Sequence, residues 1–348
     1  MAELNIAALK KLLAEDKDTA VFFVCGGDAF LKKRAVDMIS DAYMPDEFPE
    51  FNYDKLDFQR CDFNTVLGAL TQMPQFSDRR LVIIDNIAFA SVNEENLQFL
   101  CDAAERPVEG TITVFRTAHD VSGNDSAFKK FYDLCKKNAY SLKLDAPDRN
   151  GLCDILCEES ETVGARLKPN DAFYLIDRCG ADLSMLVGEL SKLAAFAGRK
   201  NITRQMIDEL CPASLESKVF NISKAILRGR ADEAFRLTEN LLMQRNAPNE
   251  ILSIMSGDFI DLYRAKAAKS AGVKNSAVTE AFSATYKGKA FRVDNAFRDC
   301  NSYPLALLEK YISLIFRAAV DLNSAKTDKN IRLEQLISEL CLAGRQMR

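Results

Sequence analysis

The residues best placed to do chemistry are Gly26-Gly27-Asp28, which lie between the apolar run Ala20–Cys25 and an amphipathic run ending near Ala42. A strand, a glycine turn and a capped helix form the frame of a nucleotide-binding fold. Phosphate binding in that frame needs Gly-x-x-x-x-Gly-Lys-Ser/Thr. Its glycines let backbone N–H groups approach the phosphates, its Lys reaches the outer oxygens, and its hydroxyl meets the metal. This chain reads Gly26-Gly27-Asp28-Ala29-Phe30-Leu31-Lys32-Lys33. No second glycine precedes the Lys, no Ser or Thr follows it, and Asp28 brings negative charge to the place of a phosphate. After the apolar run Leu81–Ile84 comes Asp85-Asn86, where a hydrolytic ATPase has Asp-Glu. Both loops predict a nucleotide-binding shape that does not hydrolyse nucleotide, with no catalytic residue and no cofactor of its own.

Other catalytic arrangements are no better supported. His119 is the one histidine, in a loop after a strand-like run, and no nucleophile is spaced to use it. It reads as structural or solvent-exposed. Glu94-Glu95 and Glu158-Glu159 are adjacent on helices and diverge, as do Lys129-Lys130 and Lys136-Lys137, so these pairs read as solvated surface. The ten cysteines include no Cys-x-x-Cys, which suggests free thiols in a reducing cytosol. Cys153 and Cys157 are at helical spacing, and with one His in the chain a metal site there is not expected. There is no tryptophan and no aromatic platform for single-stranded nucleic acid. No apolar run reaches the length of a membrane span, and Met1-Ala2-Glu3-Leu4 does not open like a signal peptide. Net charge is −4, divided as about −9 up to Thr203 and about +5 beyond it. The basic back half permits weak phosphate contact within a larger assembly but does not define a DNA-binding protein.

The elements that position these residues alternate. Asn5–Leu13 reads as a short amphipathic helix and Ala20–Cys25 as a buried strand. Asp28 caps a helix with Phe30, Leu31, Val36 and Ile39 inward and Lys32, Lys33 and Arg34 outward. Pro45 to Pro49 is a loop, Phe51–Phe58 alternates like a strand, and Asp62 caps the helix Phe63–Thr71. Strand Leu81–Ile84, helix Asn93–Glu105, strand Thr111–Thr117, helix Ser126–Lys136 and strand Tyr140–Leu144 follow. This order predicts an open parallel sheet with helices on both faces. From Pro147 no strand is expected. Asp148–Val163, Asn170–Arg178, Leu183–Ala197 and Thr203–Leu210 make a small helical domain. After Pro212-Ala213-Ser214 come longer helices over Val219–Leu342. The fold class is therefore α/β plus all-α, with boundaries at 1–146, 147–212 and 213–348.

A short apolar corner lies between the helix Phe63–Thr71 and the strand Leu81–Ile84. Pro74 closes the helix before Leu81–Ile84, because it lacks an N–H and restricts its neighbour. That leaves Met73 and Phe76 at a turn beside Gln75. Residue types alone favour their folding back onto the core.

The ordered set resembles the delta subunit family of bacterial DNA polymerase III. The likeness is carried by Phe22-Phe23-Val24-Cys25-Gly26-Gly27-Asp28-Ala29-Phe30-Leu31, by Phe76-Ser77-Asp78-Arg79-Arg80-Leu81-Val82-Ile83-Ile84, and by Gly180-Ala181-Asp182-Leu183 running into Glu189-Leu190-Ser191-Lys192-Leu193. Val219-Phe220-Asn221-Ile222-Ser223-Lys224-Ala225-Ile226, Tyr303-Pro304-Leu305 and Leu333-Glu334-Gln335-Leu336-Ile337 complete it.

The resemblance implies an AAA+ module of parallel sheet domain and helical lid, without a working phosphate loop, followed by a helical collar. It implies a clamp-loader subunit of the cytoplasm that binds and opens the sliding clamp (beta subunit) during replication. The implied partners are the gamma/tau and delta-prime subunits and, within the complex, primer–template DNA, with no membrane. It also turns the corner outward, since the family's clamp contact falls by position on Gln75 and Phe76, with Met73 and Pro74 beside them. The first of that pair is usually apolar, so Gln75 departs from the family. Either Met73 takes its place or the contact leans on Phe76. The competing readings are a degenerate P-loop ATPase and a helical scaffold that does not bind the clamp.

Overall fold

The computed structural model describes residues 4–15, 19–118, 125–198, 200–286, 289–324 and 328–346. The chain divides into two compact units, Met1–Ala146 and Pro147–Arg348.

The first unit runs α1 (Ile6–Leu12), β1 (Ala20–Cys25), α2 (Ala29–Tyr43), α3 (Pro49–Asn52), β2 (Tyr53–Asp57), α4 (Phe63–Thr71), β3 (Arg80–Ile87), α5 (Glu94–Glu105), β4 (Thr111–Thr117), α6 (Ser126–Asn138) and β5 (Tyr140–Lys143). The strands form one parallel sheet in the order β2-β3-β4-β1-β5. The inner strands β1, β3 and β4 carry apolar side chains on both faces, as a sheet covered on both sides requires. On one face Val21, Phe23, Val82, Ile84 and Phe115 pack with Val66, Leu100 and Phe131 of α4, α5 and α6. On the other, the ring of Phe22 lies 6.0 Å from that of Tyr43 on α2. Helix starts obey local chemistry: Asp28, Asp62 and Asn93 each accept a hydrogen bond from the N–H three residues on. The strand expected from Phe51 begins instead at Tyr53, because Pro49 opens a short helical turn that runs to Asn52.

The second unit runs α7 (Arg149–Thr162), β6 (Arg166–Leu167), α8 (Pro169–Cys179), α9 (Leu183–Ala197), β7 (Asn201–Ile202), α10 (Arg204–Leu210), α11 (Leu215–Leu227), α12 (Ala231–Met243), α13 (Pro248–Ser270), α14 (Asn275–Ala281), α15 (Ser283–Tyr286), α16 (Ala290–Asp299), α17 (Leu305–Leu322) and α18 (Lys329–Gln346). It is not wholly helical. β6 and β7 pair in parallel through two residues each, correcting the expectation of no strand beyond Pro147. Two-residue strands have too short a pattern to stand out in sequence, and only their pairing defines them. The longer helices share one apolar core built on Ile222, Ile226, Phe259, Tyr311, Leu333 and Leu340, among others. Beside a smaller cluster of Val278, Tyr286 and Val293, Asp261 accepts hydrogen bonds from Tyr286 Oη at 2.6 Å and from Arg292 at 2.8 Å, tying α15 and α16 to α13. Among the described residues no helix is long and apolar enough to cross a membrane.

Candidate functional site

The corner between α4 and β3 carries exposed apolar side chains. Met73 is 64% exposed and Phe76 80% exposed. Residue types alone pointed inward, and the structure turns both side chains out. Pro74 and Gln75 are half-buried between them. The ring of Pro74 rests on Gly110, where a Cβ would come within 2.9 Å of it. Phe76 sits at φ 54°, a left-handed conformation uncommon for a bulky residue. Its ring meets that of Phe48 at a centroid distance of 6.0 Å and an angle of 62°. Phe48 and Phe51, on the segment before β2, are exposed as well.

Two buried side chains hold this corner. The Asn52 carboxamide accepts from the N–H of Gln75 at 2.7 Å and donates to the carbonyl of Gln75 at 2.7 Å, so both backbone groups of that residue are held. The same amide donates to the carbonyl of Phe48 at 3.1 Å. Arg80, almost fully buried, donates to the Phe51 carbonyl, to the Asp54 carboxylate, and to Gln72 Oε1 at 3.1 Å. The two segments that present the apolar side chains are thus joined by a neutral amide and a guanidinium. The four residues that the resemblance implies, Met73, Pro74, Gln75 and Phe76, lie together at this corner, and the structure brings Phe48, Phe51, Asn52 and Arg80 beside them. One usable signal for Phe48 and Phe51 was a second Phe-Pro-rich loop, Phe48-Pro49-Glu50-Phe51, carrying large apolar residues outside any amphipathic period.

The glycine turn between β1 and α2 is occupied by the protein itself. Gly26 has φ +120°, and a Cβ there would lie 2.3 Å from the carbonyl oxygen of Leu144. The N–H of Gly27 donates to the Asp145 carboxylate at 3.3 Å, and that of Asp28 to the Leu144 carbonyl at 3.0 Å. Lys32 does not point outward as its position among charged residues suggested. It is buried, with Nζ donating to the carbonyls of Thr117, the last residue of β4, at 3.1 Å and of Ala118 at 3.3 Å. A buried ammonium requires such acceptors, and the end of a parallel strand leaves carbonyls unpaired. Asp85 is likewise engaged: Arg116 forks onto its carboxylate, with Nη2 to Oδ2 at 2.6 Å. The groups that would handle phosphate and metal are satisfied by the chain's own carboxylates, carbonyls and guanidinium. His119 lies outside the described residues.

The thiols read as packing. Eight of the ten are buried, and Cys61 and Cys157 are half-buried. Burial pushes the Cys157 thiol up to about 11 and that of Cys211 up to about 12. One group of possible metal donors occurs among the described residues, Cys179, Glu189 and Cys211. Three donors fall short of the four of a structural zinc site, and the Lys192 ammonium already lies 2.6 Å from the Glu189 carboxylate.

A five-stranded parallel sheet whose first glycine turn is closed by its own residues, followed by a predominantly helical region, defines a class: an α/β sheet domain with a helical C-terminal region. Comparison with known proteins narrows it. A family model described as DNA polymerase III, delta subunit, matches residues 22–142, and one described as DNA polymerase III delta subunit, C-terminal domain, matches residues 216–340. DNA polymerase III subunit delta of Bacillus subtilis (strain 168) is 22% identical over 337 residues, spanning 95% of each chain. The solved Bacillus subtilis DNA clamp loader delta protein superposes with a TM-score of 0.63 at 21% identity, covering 97% of this chain and 98% of that one. The chain belongs to the DNA polymerase III delta subunit family of clamp-loader proteins.

Proposed function

We propose that this protein binds the sliding clamp through the α4–β3 corner and favours the clamp's open state, without hydrolysing ATP itself. The observation that carries the reading is the outward placement of Phe76 and Met73 beside half-buried Pro74 and Gln75. A large aromatic side chain left in water at a rigid corner gains free energy on entering an apolar pocket, and a few such anchors dominate many interfaces. Binding opens a ring only if it is tighter to the open form than to the closed one, since equal affinity shifts no population. The self-filled β1–α2 turn supports leaving hydrolysis to other subunits, expected to be gamma/tau, with delta-prime completing the ring. On this reading 147–212 is a lid and 213–348 a collar that joins the neighbouring subunits, its positive balance meeting primer–template DNA weakly.

Surface plasmon resonance against the cognate clamp, with wild type beside Phe76→Ala, tests it. The expected result is a loss of at least about tenfold, or about 1.4 kcal/mol. Unchanged affinity would move the contact away from Phe76. A folded wild type that does not bind the clamp would leave the scaffold reading.

A further inference from the structure

We infer that Phe48 is a second anchor of the clamp contact, that it and Phe76 present one two-ring apolar surface, and that Asn52 is the positioning residue that holds both rings outward. The inference rests on the reading of this corner as a clamp contact and extends it to a segment far away in sequence.

The backbone carries the argument. Among the described residues, four other than glycine have positive φ: Phe48 at 49°, Phe76 at 54°, Asn86 at 59° and Arg245 at 62°. Two of these have ordinary reasons. Asparagine tolerates the left-handed region, and Arg245 follows the end of α12, where the backbone commonly turns that way as the next N–H reaches back to Leu241. The two phenylalanines have no such reason. Each is bulky, each is exposed, and each touches the other. Strained backbone of this kind persists where the surroundings over-determine it, and it clusters at sites with a task.

Here one buried side chain, beside Arg80, reaches the backbone on both segments. Asn52 has no exposed surface, and its amide donates to the Phe48 carbonyl while gripping the Gln75 backbone next to Phe76. A fold that only needed stability would turn one ring inward or place glycine at these positions. This one keeps both rings out, 6.0 Å apart, on a common mount. The occupant that suits a rigid pair of edge-to-face rings is a dry apolar pocket, and the clamp is the partner that the same corner already serves.

The experiment is surface plasmon resonance of the full chain against the clamp, with thermal melting of each variant. The set is wild type, Phe48→Ala, Phe48→Leu, Phe76→Ala, Asn52→Ala and Phe48→Ala/Asn52→Ala. Phe48→Ala is expected to weaken binding about fivefold or more, and Phe48→Leu to recover most of it. Asn52→Ala is expected to weaken binding about tenfold. In the Phe48→Ala background its further effect should shrink to about threefold, while its drop in melting temperature stays the same in both backgrounds. A residue that only stabilised the fold would lower affinity by the same factor in either background, which would overturn the positioning role. Phe48→Ala binding like wild type, with Phe76→Ala still defective, would overturn the two-ring anchor and leave the proposed function standing. Loss in neither Phe variant would bring down the corner contact itself. If Asn52→Ala does not fold, Asn52→Asp, which keeps the acceptor and loses the donor, is read in its place.

Discussion

The turn between β1 and α2 and the corner between α4 and β3 lie in the same unit but are built on opposite terms. At the first, glycine takes the unusual φ, so no side chain is strained, and every notable polar group is turned onto the protein: Gly27 to Asp145, Asp28 to Leu144, Lys32 to Thr117 and Ala118. At the second, phenylalanine takes the unusual φ and its ring is left in water. The first turn has the outline of a ligand site but its hydrogen-bonding capacity is used internally. The second has no ligand-site outline, yet it holds apolar surface and strain in reserve. Where a protein leaves interactions unmade is a better guide to its partners than the shape of its loops.

That contrast can be broken by substitution. Gly26→Ala should have the largest effect, lowering stability by about 3 kcal/mol or more, because it adds both a disfavoured φ and a backbone clash with Leu144. Denaturant unfolding reads it, and a loss below about 1 kcal/mol would mean that the turn is not tightly closed. Lys32→Met should come next, destabilising by about 1–2 kcal/mol by leaving the β4-end carbonyls without their donor, with clamp affinity unchanged. A change in clamp affinity without a change in stability would reverse the assignment of the two turns. Phe76→Gly should be smallest and opposite in sign. Relief of the left-handed strain should leave stability unchanged or raise it by about 1 kcal/mol while clamp binding falls. A destabilised Phe76→Gly would show that the ring contributes to the fold and is not held in reserve.

The second unit holds a desolvated carboxyl whose protonation is linked to folding. Desolvation pushes the Asp258 carboxyl up to about 6, against the Ser223 hydroxyl, which donates to it at 2.7 Å. Because the folded state holds this proton more tightly than the unfolded chain, the stability contribution falls as pH rises from about 4 to about 6, and the penalty is complete above that. Asp258→Asn should abolish that decline and raise stability at pH 7 by about 2 kcal/mol in melts across this range. An unaltered pH profile would mean that the carboxyl is better solvated than its place between α11 and α13 implies.

Much of the fold is legible in the sequence, and the legible parts share a cause. β1, α4, β4 and α9 lie within the limits read from the sequence, because apolar period and capping residues act over three or four positions. The missing lysine-hydroxyl pair at the first turn was also visible, since a phosphate loop is a contiguous motif. The position of Met73, Pro74, Gln75 and Phe76 came from family likeness, but their orientation did not follow from residue type. The resemblance turned the corner outward, but only the tertiary structure decided how Phe76 is held there at φ 54°, since that depends on an asparagine 23 residues from Gln75 gripping its backbone. It also decided that Lys32 is buried, because its acceptors end a strand 85 residues further on, and that Arg166–Leu167 pairs with Asn201–Ile202. The sequence by itself determined most of the elements and showed that the contiguous phosphate-loop motif is not there. The exposed rings and the buried charges were settled by contacts between distant segments, whose partners no local pattern encodes.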